Sequence, residues 1–296
     1  MQKSKKNIIV TGGAGFIGSN LIQLLIKRTK FKIISIDNYY SGKKSNHIKN
    51  NRVRYIRGET KDILKIIKNP KSINSIFHFG EFARIYQSFL KMNDCIESNT
   101  IGSNAVFNFC LKNKIKLIYS ATSATLGNKG GDKNLSPYAF TKAKNIELLE
   151  NLKKWFNFKF EIIYFYNVYG PNQIKKGDMA TIIGIFESLY KSKKKLTVVK
   201  PGSQTRRFTH VLDTVDMCYN AWKKNLCRHY VISNKKSYSV LDVAKMFRRK
   251  IKYLPSRKGE RYASALTDKN LSNKVYKYFG KIDLKDYINT FLSKNS

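Results

Sequence analysis

The chain has 296 residues, 42% of them hydrophobic, which suffices for one large globular unit or a domain plus a smaller lobe. No apolar run reaches the about 18 residues of a membrane span, and Met1 to Asn7 leads through a short apolar run into glycines. Neither a span nor a signal peptide is indicated, and a cytoplasmic setting is expected. Lys and Arg number 57 against 19 Asp and Glu, a formal net charge of +38.

The lysines are scattered along the whole chain rather than gathered in a stripe, so no nucleic-acid partner is expected. What the charge does predict is a field that draws in an anionic substrate. Cys95, Cys110, Cys218 and Cys227 lie far apart, and His47, His78, His210 and His229 share no ligand spacing with them. Structural zinc and a disulfide framework are therefore both unexpected.

Short apolar runs alternate with stretches of helical period through the first 165 or so residues, the pattern of a doubly wound parallel sheet. Strands are predicted near Asn7 to Thr11, Lys32 to Ile36, Val53 to Ile56, Ser75 to Phe79, Lys116 to Ser120 and Phe160 to Phe165. Helices are predicted over Gly15 to Lys27, Lys61 to Lys68, Asp94 to Lys112 and Tyr138 to Phe156, with one apolar face each, as in Leu21, Leu24 and Leu25. The expected fold is α/β, a Rossmann-type doubly wound parallel sheet over 1–170. A smaller C-terminal α/β substrate lobe follows over 171–296, with some crossing of the chain between the two and a cleft between them.

Ile8 to Gly18 read I-I-V-T-G-G-A-G-F-I-G, a strand running into Gly12, Gly15 and Gly18 at a helix start. Glycines there allow a tight turn and close backbone approach, and the helix N-terminus offers N–H groups to a pyrophosphate. Asp37 ends the second strand, where a carboxylate holds a ribose 2′-OH and repels a 2′-phosphate, so the expected cofactor is NAD rather than NADP. Further on, Ser136-Pro137 opens a helix carrying Tyr138 and Lys142 as Y-x-x-x-K. Four residues apart they share a face, so the ammonium can stabilise a phenolate and make Tyr138 a base. A partner hydroxyl is expected at the end of the fifth strand, within Tyr119 to Gly127.

The glycine spacing G-x-x-G-x-x-G, taken with Y-x-x-x-K, resembles the short-chain dehydrogenase/reductase superfamily. Three later segments are similar to its extended branch, the NAD-dependent epimerase/dehydratase family: Tyr166 to Pro171 (Y-N-V-Y-G-P), Gly202 to Val211 (G-S-Q-T-R-R-F-T-H-V) and Pro255 to Glu260 (P-S-R-K-G-E). The resemblance spans nearly the whole chain. It implies that Thr122, or Ser123 beside it, is the catalytic hydroxyl, and that Asn167, Arg206 and Arg257 contact a nucleotide diphosphate. For the cofactor it implies Phe16, Ile17, Asn38, Thr60 and Phe79 as lining, together with Glu59 in an adenine-contacting turn.

It also implies a homodimer built on the helices after Ile96 and Tyr138. The 4,6-dehydratases of the family carry Asp and Glu directly after the catalytic Thr, and decarboxylases a Glu; Ser123 and Ala124 stand there instead. Elimination thus lacks its acid and base, and the resemblance implies inversion at C4 of a nucleotide sugar, a UDP-hexose first. A dehydratase, a 4-dehydrogenase or keto-reductase, and a non-catalytic nucleotide sensor are the alternatives. A departure from the family follows the fourth strand, where Glu81 and Arg84 occupy a segment usually free of charge. They either pair with each other or touch substrate.

Overall fold

The structure is a computed structural model describing residues 6–126, 128–259 and 275–295. Its first half winds as the apolar runs dictate. β1 (Asn7–Thr11), β2 (Lys32–Asp37) and β3 (Val53–Arg57) alternate with α1 (Phe16–Arg28), and α2 (Ile63–Ile66) leads to β4 (Ile73–His78). Then come α3 (Ile85–Leu90), α4 (Met92–Ile96), α5 (Ser103–Lys112), β5 (Lys116–Thr122), α6 (Pro137–Phe156) and β6 (Phe160–Phe165).

The second half holds β7 (Val168–Tyr169), α7 (Ile182–Lys191), β8 (Leu196–Val199), β9 (Thr205–Arg207), β10 (Thr209–His210) and α8 (Val211–Lys224). It ends with β11 (His229–Ser233), β12 (Ser237–Ser239), α9 (Val240–Met246), β13 (Ile251–Leu254), β14 (Val275–Phe279) and α10 (Leu284–Ser293).

Eight strands form one sheet in the order β14-β11-β6-β5-β4-β1-β2-β3, every neighbour parallel. The chain runs outward from β1 to β3 and then returns to β4 on the other side of β1, so the topological switch lies between β1 and β4. In such sheets the crevice beyond the strands' carboxyl ends at that point takes the ligand.

Two apolar layers cover the sheet, one around Ile9, Ile76, Phe107 and Tyr119, the other around Leu21, Leu25, Phe77 and Val215. α8, from the second half, belongs to the second layer, and β11 and β14 extend the sheet itself. A third core around Phe186, Phe208, Phe247 and Leu284 builds the smaller lobe.

The predicted helix over Asp94 to Lys112 is interrupted by a π-type turn at Glu97–Gly102. The cause is Asn99, wholly buried, whose amide accepts from Phe82 N at 2.7 Å and donates to Phe82 O at 3.0 Å. The predicted helix over Lys61 to Lys68 shortens to a 3-10 turn and α2, because Ile67 already takes an extended conformation on the way to Pro70 and β4. Cys95, Cys110, Cys218 and Cys227 are all free thiols. No helix among the described residues is long and apolar enough to cross a membrane.

Candidate active site

A cleft of about 510 Å³ opens at the switch point, lined by Gly12, Asp37, Thr122, Tyr138, Lys142 and Asn167 among others. Its floor is the glycine turn. Gly12 sits at φ +70°, and a Cβ there would come within 2.9 Å of the backbone at Phe79 and Gly80; a Cβ on Gly18 would stand 2.1 Å from Gly12 O. Only glycine permits this closeness of helix to strand. α1 starts from Gly15 with no side-chain cap and no acid in its first turn, so its unpaired N–H groups face a cleft that Gly15, Phe16, Ile17 and Gly18 line.

At the ribose end, Asp37 Oδ2 accepts from Ala14 N at 2.9 Å and Oδ1 from Tyr39 N at 2.8 Å. Burial raises the carboxyl's pKa, and these backbone bonds oppose the rise. Asn38 donates to Glu59, and Asn38, Glu59 and Thr60 line the cleft on that side. These groups fit an NAD: a glycine cradle and a free helix end for the pyrophosphate, a carboxylate for the adenosine ribose.

The chemical end rests on β5 and α6. Ser136 caps α6 by accepting from Ala139 N at 3.1 Å, and Pro137 takes the first helical position. That fixes Tyr138, whose own N–H donates to Ser88 Oγ at 3.2 Å. Thr122 and Ser123 both line the cleft as β5 ends, 7% and 4% exposed. Thr122 Oγ1 accepts from Ala124 N at 3.2 Å, which leaves its hydroxyl proton free to donate.

Glu81 and Arg84 do not pair with each other. Glu81 forms an ion pair with Lys142, the two side chains 1% and 4% exposed. The carboxylate also accepts from Ser103 Oγ at 2.9 Å, Tyr119 OH at 3.0 Å and Asn145 Nδ2 at 3.2 Å. Lys142 Nζ gives a second bond to Ser120 O at 2.5 Å. Burial pushes Lys142 down and Glu81 draws it back up.

Behind them, Phe79 N and Gly80 N both donate to Thr11 Oγ1, so Thr11's proton goes to His78 Nδ1 at 2.7 Å. His78 Nε2 then donates to Ser103 Oγ at 3.0 Å. The imidazole is neutral, its pKa lowered to about 4 by burial. Arg84 donates to Ala83 O at 2.7 Å and to Met179 O, and its guanidinium lies within electrostatic reach of Tyr138.

Phe79, Glu81, Arg84 and Asn167 all line the cleft, whereas Arg206 and Arg257 do not appear in its lining. Arg206 is 9% exposed on β9, donating to Thr205 O at 2.8 Å. Arg257 lies 5.2 Å over the ring of Tyr86 on α3. Gly127, which ends the segment expected to hold the partner hydroxyl, and Glu260, which ends the family-like segment from Pro255, fall outside the described residues.

Sequence reasoning named Glu81 but missed its pairing with Lys142 and its ring of donors, Ser103, Tyr119 and Asn145. A signal existed: β4 and β5 are adjacent, so a charge placed just after β4 lands beside the lysine that α6 lays over the end of β5.

Residues 8–233 match the model of the NAD dependent epimerase/dehydratase family. The chain belongs to that family. It is 30% identical, over 72% of its own length and 70% of the relative's, to a UDP-N-acetyl-alpha-D-glucosaminuronate decarboxylase of Bacillus cytotoxicus. With a dTDP-D-glucose 4,6-dehydratase of Bos taurus it is 28% identical over 81% of this chain and 71% of that one. A UDP-glucuronic acid 4-epimerase of Bacillus cereus, solved with NAD and a fluorinated UDP-glucuronic acid, superimposes with a TM-score of 0.83 at 25% identity, covering 97% of this chain and 99% of that one. The chain is thus an NAD-dependent enzyme of the nucleotide-sugar epimerase/dehydratase group, and NAD is its cofactor.

Proposed function

We propose that this enzyme inverts C4 of a UDP-hexose through a 4-keto sugar. NAD, held at the glycine turn and Asp37, would supply reversible hydride transfer. In this reading Tyr138 takes the proton of the C4 hydroxyl and gives it back, while Thr122 donates to the oxygen as charge develops there. Lys142 holds its ammonium beside the phenol and steadies the phenolate. Asn167, with Arg206 and Arg257 once substrate is seated, anchors the diphosphate, a group guanidinium forks suit. The sugar is then free to turn about that fixed end and present its other face.

The observation that carries inversion over elimination is the occupancy of the cleft's carboxylates. Elimination of water from C5 and C6 needs a free acid and base next to Thr122, and Ser123 and Ala124 are there. The carboxylate near them, Glu81, is tied to Lys142. A cytoplasmic setting belongs to the same reading, as does a homodimer, the latter supported by apolar side chains left in solvent along α4, the π turn and α6: Ile96 at 37%, Ile101 at 54% and Phe140 at 45% exposure.

The test is incubation of the purified protein, without added NAD, with UDP-glucose, UDP-galactose and their N-acetyl forms, followed by chromatography and mass spectrometry. A product of unchanged mass and altered retention, absent with Tyr138→Phe, is the expected result. A product lighter by one water overturns inversion in favour of dehydration.

A further inference from the structure

We propose that Glu81 is a positioning residue for Lys142, the counter-ion that keeps the lysine charged and leaves it one weakly bonded N–H for the reaction. The inference rests on the reading of Tyr138 and Lys142 as the acid–base pair, and not on which sugar is turned over. An ammonium has three donors. One goes to Glu81 Oε2 and one to Ser120 O. The third has only a long contact, with Ser120 Oγ at 3.4 Å, and remains available to the cleft that Tyr138 and Lys142 line together. The aim of that donor is set by two anchors, the backbone of β5 and a carboxylate beyond β4 that is itself fixed by Ser103, Tyr119 and Asn145.

The charge state follows from the surroundings. Lys142 packs under α6 against β5, and among the described residues the groups that act on it are Glu81, Cys95 and His78, with the Tyr119 ring against it; Tyr138 shares its helix face four residues earlier. Tyr119 offers the face of its ring, 4.7 Å from Nζ. Burial pushes its phenol far up, so it stays neutral. The Cys95 thiol is pushed up to about 11 by burial, and the His78 imidazole is held neutral, so neither carries charge near neutral pH. Among the described residues Glu81 is thus the one anion facing the ammonium.

Without it, a side chain 4% exposed would keep a charge supported by one carbonyl, a long contact to Ser120 Oγ and one ring. An unpaired buried ammonium is costly enough that the lysine gives up its proton instead. The loss of the whole positive charge beside Tyr138 then outweighs the loss of the more distant carboxylate, and the phenol becomes harder to ionise.

The experiment uses the NAD-loaded protein and no substrate: tyrosinate absorbance is followed with pH, each protein being read against the same protein carrying Tyr138→Phe, so that the step belonging to Tyr138 is isolated. Glu81→Gln is expected to move that step up by about one pH unit. Glu81→Asp keeps the charge but draws it back by one methylene, and is expected to move the step in the same direction by less. If Glu81→Gln does not fold, the Glu81→Asp shift decides alone. A step that stays put, or moves down because the carboxylate merely opposes the phenolate, overturns the proposal. Failure of every nucleotide sugar to turn over, with the upward shift present, overturns the epimerase reading and leaves the role of Glu81 standing.

Discussion

Replacing Gly18 by alanine tests the cofactor cradle where the geometry is least forgiving. The added Cβ would sit 2.1 Å from Gly12 O and 2.8 Å from Gly12 C and Gly13 Cα. Ordinary contact begins at 3.4 Å, so helix and turn must part by roughly 1.3 Å (3.4 − 2.1). The obstacle is backbone, held by Gly12 N to Ile36 O at 2.8 Å and Gly15 N to Gly12 O at 3.0 Å, and no side chain can swing aside.

Alanine gains up to about 1 kcal/mol of helix propensity, while overpacking costs about 1–3 kcal/mol. The protein without cofactor should therefore lose roughly 0–2 kcal/mol. NAD loses more, because a shift of this size pulls the first-turn N–H groups off the pyrophosphate. Two charge-assisted bonds at about 1.5 kcal/mol or more each amount to about a 100-fold weaker affinity. The assays are release and quantitation of NAD from the purified protein, calorimetric titration with NAD, and thermal unfolding with and without NAD. A variant that purifies with a full complement of NAD and melts like the parent refutes the role assigned to this glycine.

Tyr138→Phe should lower kcat by about 100-fold or more while NAD content is unchanged, and a variant within a few-fold of the parent would remove Tyr138 from the chemistry. Arg84→Met should raise KM for the nucleotide sugar about 10-fold with NAD binding intact. An unchanged KM in steady-state kinetics would confine Arg84 to its bonds with Ala83 and Met179. His78 carries a pH signature: its folded pKa of about 4 lies below its ordinary 6.5, so the unfolded chain binds the proton first as pH falls. Stability is then complete above about 6.5 and declines toward 4, by up to about 3 kcal/mol from this group. Denaturant unfolding at several pH values should show a shallower decline for His78→Gln than for the parent, and parallel curves would contradict a neutral buried imidazole.

The glycine turn and the parallel strands were legible because their signals are local. β1 and β6 have the bounds their apolar runs suggest, and β2 to β5 differ by one or two residues at their ends. What was not legible depends on partners distant in sequence. Nothing around Glu97 announces a π turn; it exists because Asn99 must reach the backbone of Phe82. α3 has too few residues to show a period, and β11 and β14 are strands of the main sheet only by virtue of lying beside β6 and each other. Among residues that line the cleft, Tyr138, Lys142, Thr122 and Ser123 could be singled out by spacing and resemblance. The partner of Lys142 could not, since Glu81 and Lys142 are 61 residues apart in the chain.

The charge of the chain and the charge of the cleft point in opposite directions, and the difference bears on how an anionic substrate is handled. The chain as a whole is +38, yet Asp37, Glu59, Glu81, Asp94 and Glu97 line the cleft against Lys61, Arg84 and Lys142. Each of these acids is engaged: Asp37 by backbone N–H groups, Glu59 by Asn38, Glu81 by Lys142, Asp94 by Tyr40 OH at 3.1 Å, and Glu97 by Lys61. Two of the three cations are thereby spent. Arg84 alone among them bonds only to neutral carbonyls in the described structure. The scattered lysines can then steer a nucleotide sugar from a distance, an effect that salt screens beyond about 10 Å. Among the described residues the free positive charge inside the cleft is Arg84, beside Tyr138, so added salt should slow capture at low substrate concentration and leave kcat unmoved.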